Sequence, residues 1–260
     1  CIRDSTSWAE FFRNLSYVVI DEMHTYRGVF GSHVANVFRR LRRIANHYGS
    51  QPVFALTSAT IANPLEHAER LIEAEVHLIS RDGSADAPRH FLIYNPPIVN
   101  PEIGLRRSAL QEATRLAGDL RDHDVQAIVF ARSRRSVEIV LMYLRQNADT
   151  LAINDLEQSI RGYRSGYLPT ERRQIELGLR KGEVRTVVAT NALELGIDIG
   201  AMGASILIGY PGTIAATNQQ TGRAGRSDHP SAGILVATPD PIDQFLARHP
   251  EFLLEKNPEG

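Results

Sequence analysis

An α/β fold on parallel strands, arranged as two lobes of which the first is incomplete, is what this sequence predicts. Three observations carry that reading. Short apolar runs alternate with longer stretches of helical periodicity, the pattern of strands joined by crossover helices. Polar clusters follow directly on several of those runs, at the strand ends where open α/β sheets gather ligands. A stretch from Asn95-Pro96-Pro97 to Asn100-Pro101 interrupts the alternation, because closely spaced prolines favour an extended connector.

Taken in order, Tyr17-Val18-Val19-Ile20 reads as a buried strand that delivers Asp21 and Glu22 to its C-terminal end. Val34, Val37, Phe38, Leu41, Ile44 and Ala45 then recur at helical spacing, with Arg39, Arg40, Arg42 and Arg43 expected on a solvated face. Val53-Phe54-Ala55-Leu56 is the next strand and delivers Thr57-Ser58-Ala59-Thr60 to the same rim. After the prolines a helix is expected from about Leu105 to Arg121, then strand Ala127–Phe130, helix Ser136 to Leu144 and a strand ending near Tyr163-Arg164. Helix Thr170 to Leu179 and strands Thr186–Ala189, Ser205–Ile208 and Ile234–Val236 complete a doubly wound series. The expected divisions are 1–95 for the first lobe, 96–104 for a linker, 105–238 for the second lobe and 239–260 for a connector. The first stretch holds too few strands for a whole lobe, since domains of this kind run to about 100–150 residues.

Composition narrows the class. Hydrophobic content of 43% with 23% charged residues is that of a soluble globular protein. A net charge of −1 offers no global attraction to nucleic acid, so such binding must come from local arginine clusters. Lys181 and Lys256 are the two lysines, and every other basic residue is arginine. The single cysteine, Cys1, excludes a disulfide framework or a cysteine-rich zinc site within these residues. No apolar run approaches the roughly 20 residues of a membrane-spanning helix, so no membrane partner and a cytoplasmic location are expected. The chain starts on Cys rather than Met, and artificial ends are expected at both termini.

The polar clusters suggest chemistry. An acidic pair after a buried strand suits phosphoryl transfer: Asp21 holds Mg²⁺ through water, while Glu22 orients or deprotonates the attacking water. By itself, a solvated Asp-Glu at a strand end is the commoner explanation. His24 either couples a nucleotide to the neighbouring polar loop or is a surface histidine. Thr57, Ser58 and Thr60 place three hydroxyls where they can sense the acidic pair, or form a Ser/Thr turn. One strand-helix-strand unit separates the two clusters, which lets them lie side by side. Farther on, Thr190 and Asn191 suit contacts to nucleic-acid phosphate, Gly196 a close backbone approach and Asp198 a ribose hydroxyl. Arg223 and Arg226, three apart, are expected on one helical face where both reach the same anion. No Gly-x-x-x-x-Gly-Lys-Ser/Thr phosphate loop occurs anywhere in the chain.

Asp21-Glu22-Met23-His24, Thr57-Ser58-Ala59-Thr60, Thr190 to Asp198 and Gln219-Gln220-Thr221-Gly222-Arg223-Ala224-Gly225-Arg226 follow in one order. They resemble motifs II, III, V and VI of the superfamily 2 helicases of DExH/DEAD-box type. Thr25 to His33 and Ala192 to Gly200 are most similar to the YprA/MrfA-type bacterial DNA repair helicases, as are Asp243-Gln244-Phe245 and His249-Pro250-Glu251-Phe252. The resemblance covers essentially the whole chain and implies two RecA-like lobes of P-loop NTPase type. It also implies use of ATP and Mg²⁺, 3′-to-5′ movement on single-stranded or partly duplex DNA, and a role in DNA repair.

Carried onto this sequence, the resemblance makes Gln219 a nucleotide contact and Arg223 and Arg226 arginine fingers. Arg132, Ser133, Arg134 and Arg164 become contacts to the strand. The family's phosphate-binding loop and lysine would lie upstream of Asp21, and its Cys-rich region downstream; neither is present. The expectation is therefore a piece of a helicase motor that is inactive alone. The alternatives are a nucleic-acid-binding scaffold derived from a helicase, without hydrolysis, and an RNA helicase.

Overall fold

The computed structural model describes residues 6–59, 61–80, 87–147, 158–164, 166–193, 200, 202–225 and 230–255. They form two compact units, one from residues below 84 and the other from 84 upward.

The first unit holds helix α1 (Thr6–Arg13), strand β1 (Tyr17–Ile20), helix α2 (Gly28–His47), strand β2 (Val53–Leu56) and helix α3 (Pro64–Ile72). The β-branched run Val18-Val19-Ile20 favours an extended chain, and β1 pairs in parallel with β2, Tyr17 opposite Val53 and Ile20 opposite Leu56. The strands are not buried on both faces as expected. Ile20 is 3% exposed and joins Met23, Ala35, Ala68, Leu71 and Ile72 in a small core, whereas Tyr17 and Val19 are each 70% exposed. Strand side chains alternate between faces, so the helices cover one face only. The arginines of α2 are also not simply solvated. Arg42 donates to the carbonyls of Ile72 (2.7 Å) and Glu73 (3.2 Å), and Arg39 bonds Glu73, so α2 caps the C-terminus of α3.

The second unit is built on a six-stranded sheet in which every pairing is parallel. Its strands are β3 (Arg89–Tyr94), β6 (Ala127–Phe130), β7 (Ile160–Tyr163), β8 (Thr186–Ala189), β9 (Ala204–Ile208) and β10 (Ser231–Val236), in the spatial order β3-β10-β9-β6-β8-β7. Central β6 and β8 are buried along their whole length. Alternation along β6 sends Ile128 and Phe130 into one core and Val129 into another. The first core packs under α6 (Pro169–Arg180) through Ile175 and Leu179; the second packs under α4 (Ala109–Asp122) and α5 (Arg134–Gln146) through Ala113, Ala117, Val137 and Leu144. Helices on both faces of a parallel sheet make this unit doubly wound.

Two divisions expected from sequence differ in the structure. The expected boundary places β3 in the first lobe, but β3 runs parallel to β10 from Arg89 opposite Ser231 to Tyr94 opposite Val236. Its alternating side chains explain this: Phe91 and Ile93 pack on one core of the second unit and Tyr94 on the other. The 96–104 stretch is therefore internal to the second unit. It carries β4 (Ile98–Asn100), which pairs antiparallel with β5 (Leu105–Arg106), anchored by Arg106 donating to the Pro96 carbonyl at 2.7 Å. The stretch from 239 is likewise no bare connector. Helices α8 (Pro241–Arg248) and α9 (Glu251–Leu254) bury Leu246 and Leu253 in the first of the two cores.

Candidate active site

In the first unit the polar residues at the ends of β1 and β2 form one hydrogen-bonded set. The ladder continues past the strands: Thr57 N–H donates to the Ile20 carbonyl and Met23 N–H to the Thr57 carbonyl, both at 2.9 Å. This clamps the chain as it turns at Glu22, which takes the left-handed conformation (φ 52°, ψ 44°). Such a conformation costs a non-glycine residue about 1–3 kcal/mol. Asp21 Oδ1 accepts the Glu22 N–H at 2.9 Å and the Thr57 hydroxyl. A short 3₁₀ turn, Met23–Thr25, follows, closed by the Thr25 hydroxyl donating to the Glu22 carbonyl at 2.8 Å.

His24 sits inside this turn, 8% exposed. Its Nδ1 accepts the Ala59 N–H at 3.2 Å and lies 3.4 Å from Glu22 Oε2. Burial is the main cause holding its pKa below the ordinary value, Arg27 and His67 act in the same direction, and Glu22 and Asp21 oppose them. Accepting from Ala59 requires a lone pair on Nδ1, so the geometry and the lowered pKa agree on a neutral ring. Of the expected hydroxyl trio, Thr57 alone reaches the acidic pair in the described residues. Ser58 turns its hydroxyl to the Ala59 carbonyl at 2.7 Å, and Thr60 lies outside the described residues. Two further residues join the set without having been expected from the sequence. Besides Thr25, His67 reaches back from α3 to put Nε2 2.9 Å from the Met23 carbonyl. No periodicity marks His67; a histidine one turn into the helix after a polar strand end was its single signal.

The second unit assembles its polar residues at the C-terminal ends of β6, β8 and β9, around a pocket of about 510 Å³ lined by Arg132, Asn191, Gly209 and Gln220 among others. Thr190 is half-buried and Asn191 exposed at the end of β8, so both stand on this rim. Arg132 is 48% exposed but rests one end of its guanidinium on the protein. Its Nη2 donates to the Tyr210 carbonyl and to Asp243 Oδ1 (3.3 Å). Asp243 is 0% exposed and also accepts the Tyr210 N–H (3.0 Å), the Thr238 N–H (2.8 Å) and the Thr238 hydroxyl (2.5 Å). Ser133 is the N-cap of α5, accepting the Ser136 N–H at 3.0 Å. Arg134 is exposed in the first turn of that helix. Arg164 stands apart, at the end of edge strand β7, 3.5 Å from Glu138 and stacked over Tyr167.

Helix α7 (Ile214–Thr221) carries Gln219, half-buried, near its end. Arg223 lies beyond this helix and so does not stand on the expected helical face. The helix stops at Thr221, Ala224 bridges Met202, and Gly225 donates to the Met202 carbonyl (3.0 Å) with φ 86°. Any side chain at Gly225 would be strained at that φ, and its Cβ would collide with Ser231 Oγ. Arg223 is buried at 6% exposure, whereas Arg226, Gly196 and Asp198 lie outside the described residues.

Parallel sheets with polar strand ends, an acid pair held by a threonine and a doubly wound second unit define the class: RecA-like α/β domains. Residues 2–68 match the DEAD/DEAH box helicase family and 107–228 the helicase conserved C-terminal domain. The chain is 53% identical over 256 residues to the uncharacterized ATP-dependent helicase YprA of Bacillus subtilis, and 41% identical over 261 residues to the ATP-dependent helicase hrq1 of Schizosaccharomyces pombe. A crystal structure of the helicase MrfA bound to DNA superposes with a TM-score of 0.94 at 52% identity over 100% of the chain. Another, of MrfA with DNA and AMPPNP, gives 0.91 at 51%. The chain belongs to the superfamily 2 helicases of DEAD/DEAH-box type. It spans about a third of the Bacillus protein and of MrfA (34% of each) and 24% of the yeast relative.

Proposed function

We propose that the gene product is an ATP-dependent DNA helicase that moves 3′ to 5′ on single-stranded DNA in DNA repair, and that residues 1–260 carry its hydrolytic base and much of its strand-contacting surface. The observation that carries this reading is the joined set Asp21, Glu22, Thr57 and His24, in which Thr57 and the Glu22 N–H fix one oxygen of Asp21. The relatives support it: each is named as an ATP-dependent helicase, and MrfA was crystallised with DNA and with a nucleotide analogue.

Asp21 suits Mg²⁺. Its bonds to Thr57 and Glu22 both fall on Oδ1. A carboxylate of this kind suits Mg²⁺, which takes one or two carboxylates and draws its other ligands from water and phosphate. When bound, the ion neutralises charge on the phosphate oxygens. Glu22 then orients and deprotonates the attacking water. His24 and Thr57 register the state of that site to 57–59 through the Ala59 N–H and the Asp21 carboxylate. In this proposal Gln219, Gly196 and Asp198 serve the nucleotide, and Arg223 and Arg226 stabilise charge on the transferred phosphate. Thr190, Asn191, Ser133, Arg134 and Arg164 contact the strand. Arg132 has the weaker claim, since its guanidinium already serves Asp243. A cytoplasmic location belongs to the same proposal; no helix among the described residues is long and apolar enough to cross a membrane.

One assay tests this reading: ATP turnover by the full-length gene product with single-stranded DNA, with RNA and without nucleic acid. DNA stimulation is expected, and Glu22→Gln is expected to lower kcat by about 10²–10⁴, the usual worth of a general base. Residues 1–260 alone are expected to show no turnover, having no phosphate loop. No turnover by the wild-type full-length gene product would leave the scaffold reading standing, full activity in Glu22→Gln would remove Glu22 as the base, and stimulation by RNA alone would move the substrate to RNA.

A further inference from the structure

Within the first unit, a groove of about 590 Å³ runs along α2 from Gly28 to Arg39 and along α3 from Asn63, just before its first turn, to Leu71. Arg27, Arg39 and Arg70 line it together with Asn36, Asn63 and His67, and no carboxylate is among its lining residues. Both helices begin there. Gly28 and Gly31 of the first turn of α2 and Asn63, the N-cap of α3, belong to the lining, and neither N-terminus has a side-chain cap. The positive ends of two helix dipoles thus add to three guanidinium groups. Gly31 brings the backbone close, since a Cβ there would collide with the Tyr26 carbonyl oxygen.

We propose that this groove seats a backbone phosphate of the single-stranded nucleic acid, an inference that rests on the helicase reading above. A strand suits it better than a small enclosed anion because two of the three arginines are open to solvent, Arg39 by 47% and Arg70 by 77%, with Arg27 half-buried. Their present partners are the exposed carboxylates of Glu73 for Arg39, which also donates to Asn36 Oδ1 at 2.9 Å, and of Glu66 for Arg70 at 2.5 Å. Such pairs hold by about 0–1 kcal/mol and exchange readily for phosphate. The groove also backs onto the catalytic turn: its wall residue His67 holds the Met23 carbonyl, directly after Glu22. A strand seated here therefore bears on the turn that positions the general base.

The test measures binding of a fluorescent oligo-dT to the full-length gene product across roughly 50–200 mM salt, where each neutralised phosphate contributes about 0.7 to the slope of log affinity against log salt. The double variant Arg39→Ala/Arg70→Ala is expected to bind several-fold more weakly, with a slope shallower by about 0.7 for each phosphate that is no longer neutralised. Arg39→Lys/Arg70→Lys should retain most of the slope. Asn36→Glu, at an exposed helical position, should weaken binding with little burden on folding, by placing a carboxylate in the groove. Arg43→Ala, exposed on α2 outside the groove, should leave the slope unchanged. Wild-type slope and affinity in both the double alanine variant and Asn36→Glu would overturn the proposal, as would an equal loss in Arg43→Ala. A wild-type protein with no affinity for the oligonucleotide would sink the helicase reading itself.

Discussion

The two units solve opposite problems. The first has a thin frame, two strands with one face covered, yet its site residues are bonded to one another: Asp21 to Thr57, His24 to Ala59, Glu22 to Thr25. The second has a six-stranded sheet with helices on both faces, and there several candidate residues serve the fold. Ser133 caps a helix, Arg132 neutralises a buried aspartate and Arg223 is itself buried. A charged residue at a strand end is therefore the stronger site candidate when its partners are other candidates than when, as with Arg132, it also serves a buried carboxylate.

The largest expected effect tests that distinction at Asp243. Its carboxylate is fully buried and holds Arg132, two backbone N–H groups and the Thr238 hydroxyl, joining α8 to the ends of β9 and β10. Losing the shared acceptor strands several donors at once, each unsatisfied buried group costing about 1–3 kcal/mol, or about 3–5 kcal/mol together. Asp243→Ala should therefore lower the unfolding free energy of the second unit by about that much, measured by denaturant titration. Arg132→Ala should cost less, about 1–3 kcal/mol, because Tyr210 and Thr238 still bond the carboxylate. If Arg132→Ala leaves stability unchanged and instead lowers the salt dependence of DNA binding, Arg132 belongs with the strand contacts and the contrast between the units weakens.

Limited proteolysis comes next. Local opening is easiest where few apolar groups are buried, and the described core of the first unit is small, with Tyr17, Val19 and Val53 exposed. Digestion of residues 1–260 should therefore remove the first unit at least about tenfold faster, the equivalent of about 1.4 kcal/mol in opening free energy. The surviving piece should start before Arg89 and retain Leu253, because β3 and α9 are packed into the second unit. Mass spectrometry decides this. A product starting near 105, the boundary expected from the prolines, would show that β3 detaches easily, and equal lifetimes would remove the contrast.

How much is legible in the sequence follows from the range of each interaction. Val18 to Ile20, Val53 to Leu56 and Thr186 to Ala189 are readable to within a residue or two because β-branched and apolar runs act locally. The placement of β3 depends on β10, far along the chain, and local proline signals point elsewhere. The role of Arg132 is hidden for the same reason, since Asp243 lies 111 residues away. The Asp21 and Thr57 clusters are visible because a strand end marks each, and parallel pairing of β1 with β2 puts them side by side. The expected helical face of Arg223 fails because i, i+3 spacing assumes a helix, whereas Gly225 takes a left-handed turn.

The smallest expected effect concerns His24, the one buried titratable group in the first unit's bonded set with a perturbed pKa. Burial lowers its pKa below the ordinary value of about 6.5, so the folded first unit favours the neutral ring. A group of this kind contributes its full stability above the unfolded pKa and loses it as pH falls through the folded value. The sign is therefore fixed: stability of the first unit should be level above about pH 6.5 and decline below it. Protonation also removes the Nδ1 lone pair that receives the Ala59 N–H and gives Glu22, 3.4 Å away, a cation to pair with. The link between the 22–25 turn and 57–59 would then loosen while the ring stays in place. Amide exchange at Ala59 in the full-length gene product checks this, with exchange corrected for its intrinsic pH dependence. Protection should fall on acidification below pH 6.5 in the wild type and stay level in His24→Gln, whose side chain does not titrate. A wild-type protection profile without such a decline would mean that the 24–59 bond does not depend on histidine protonation.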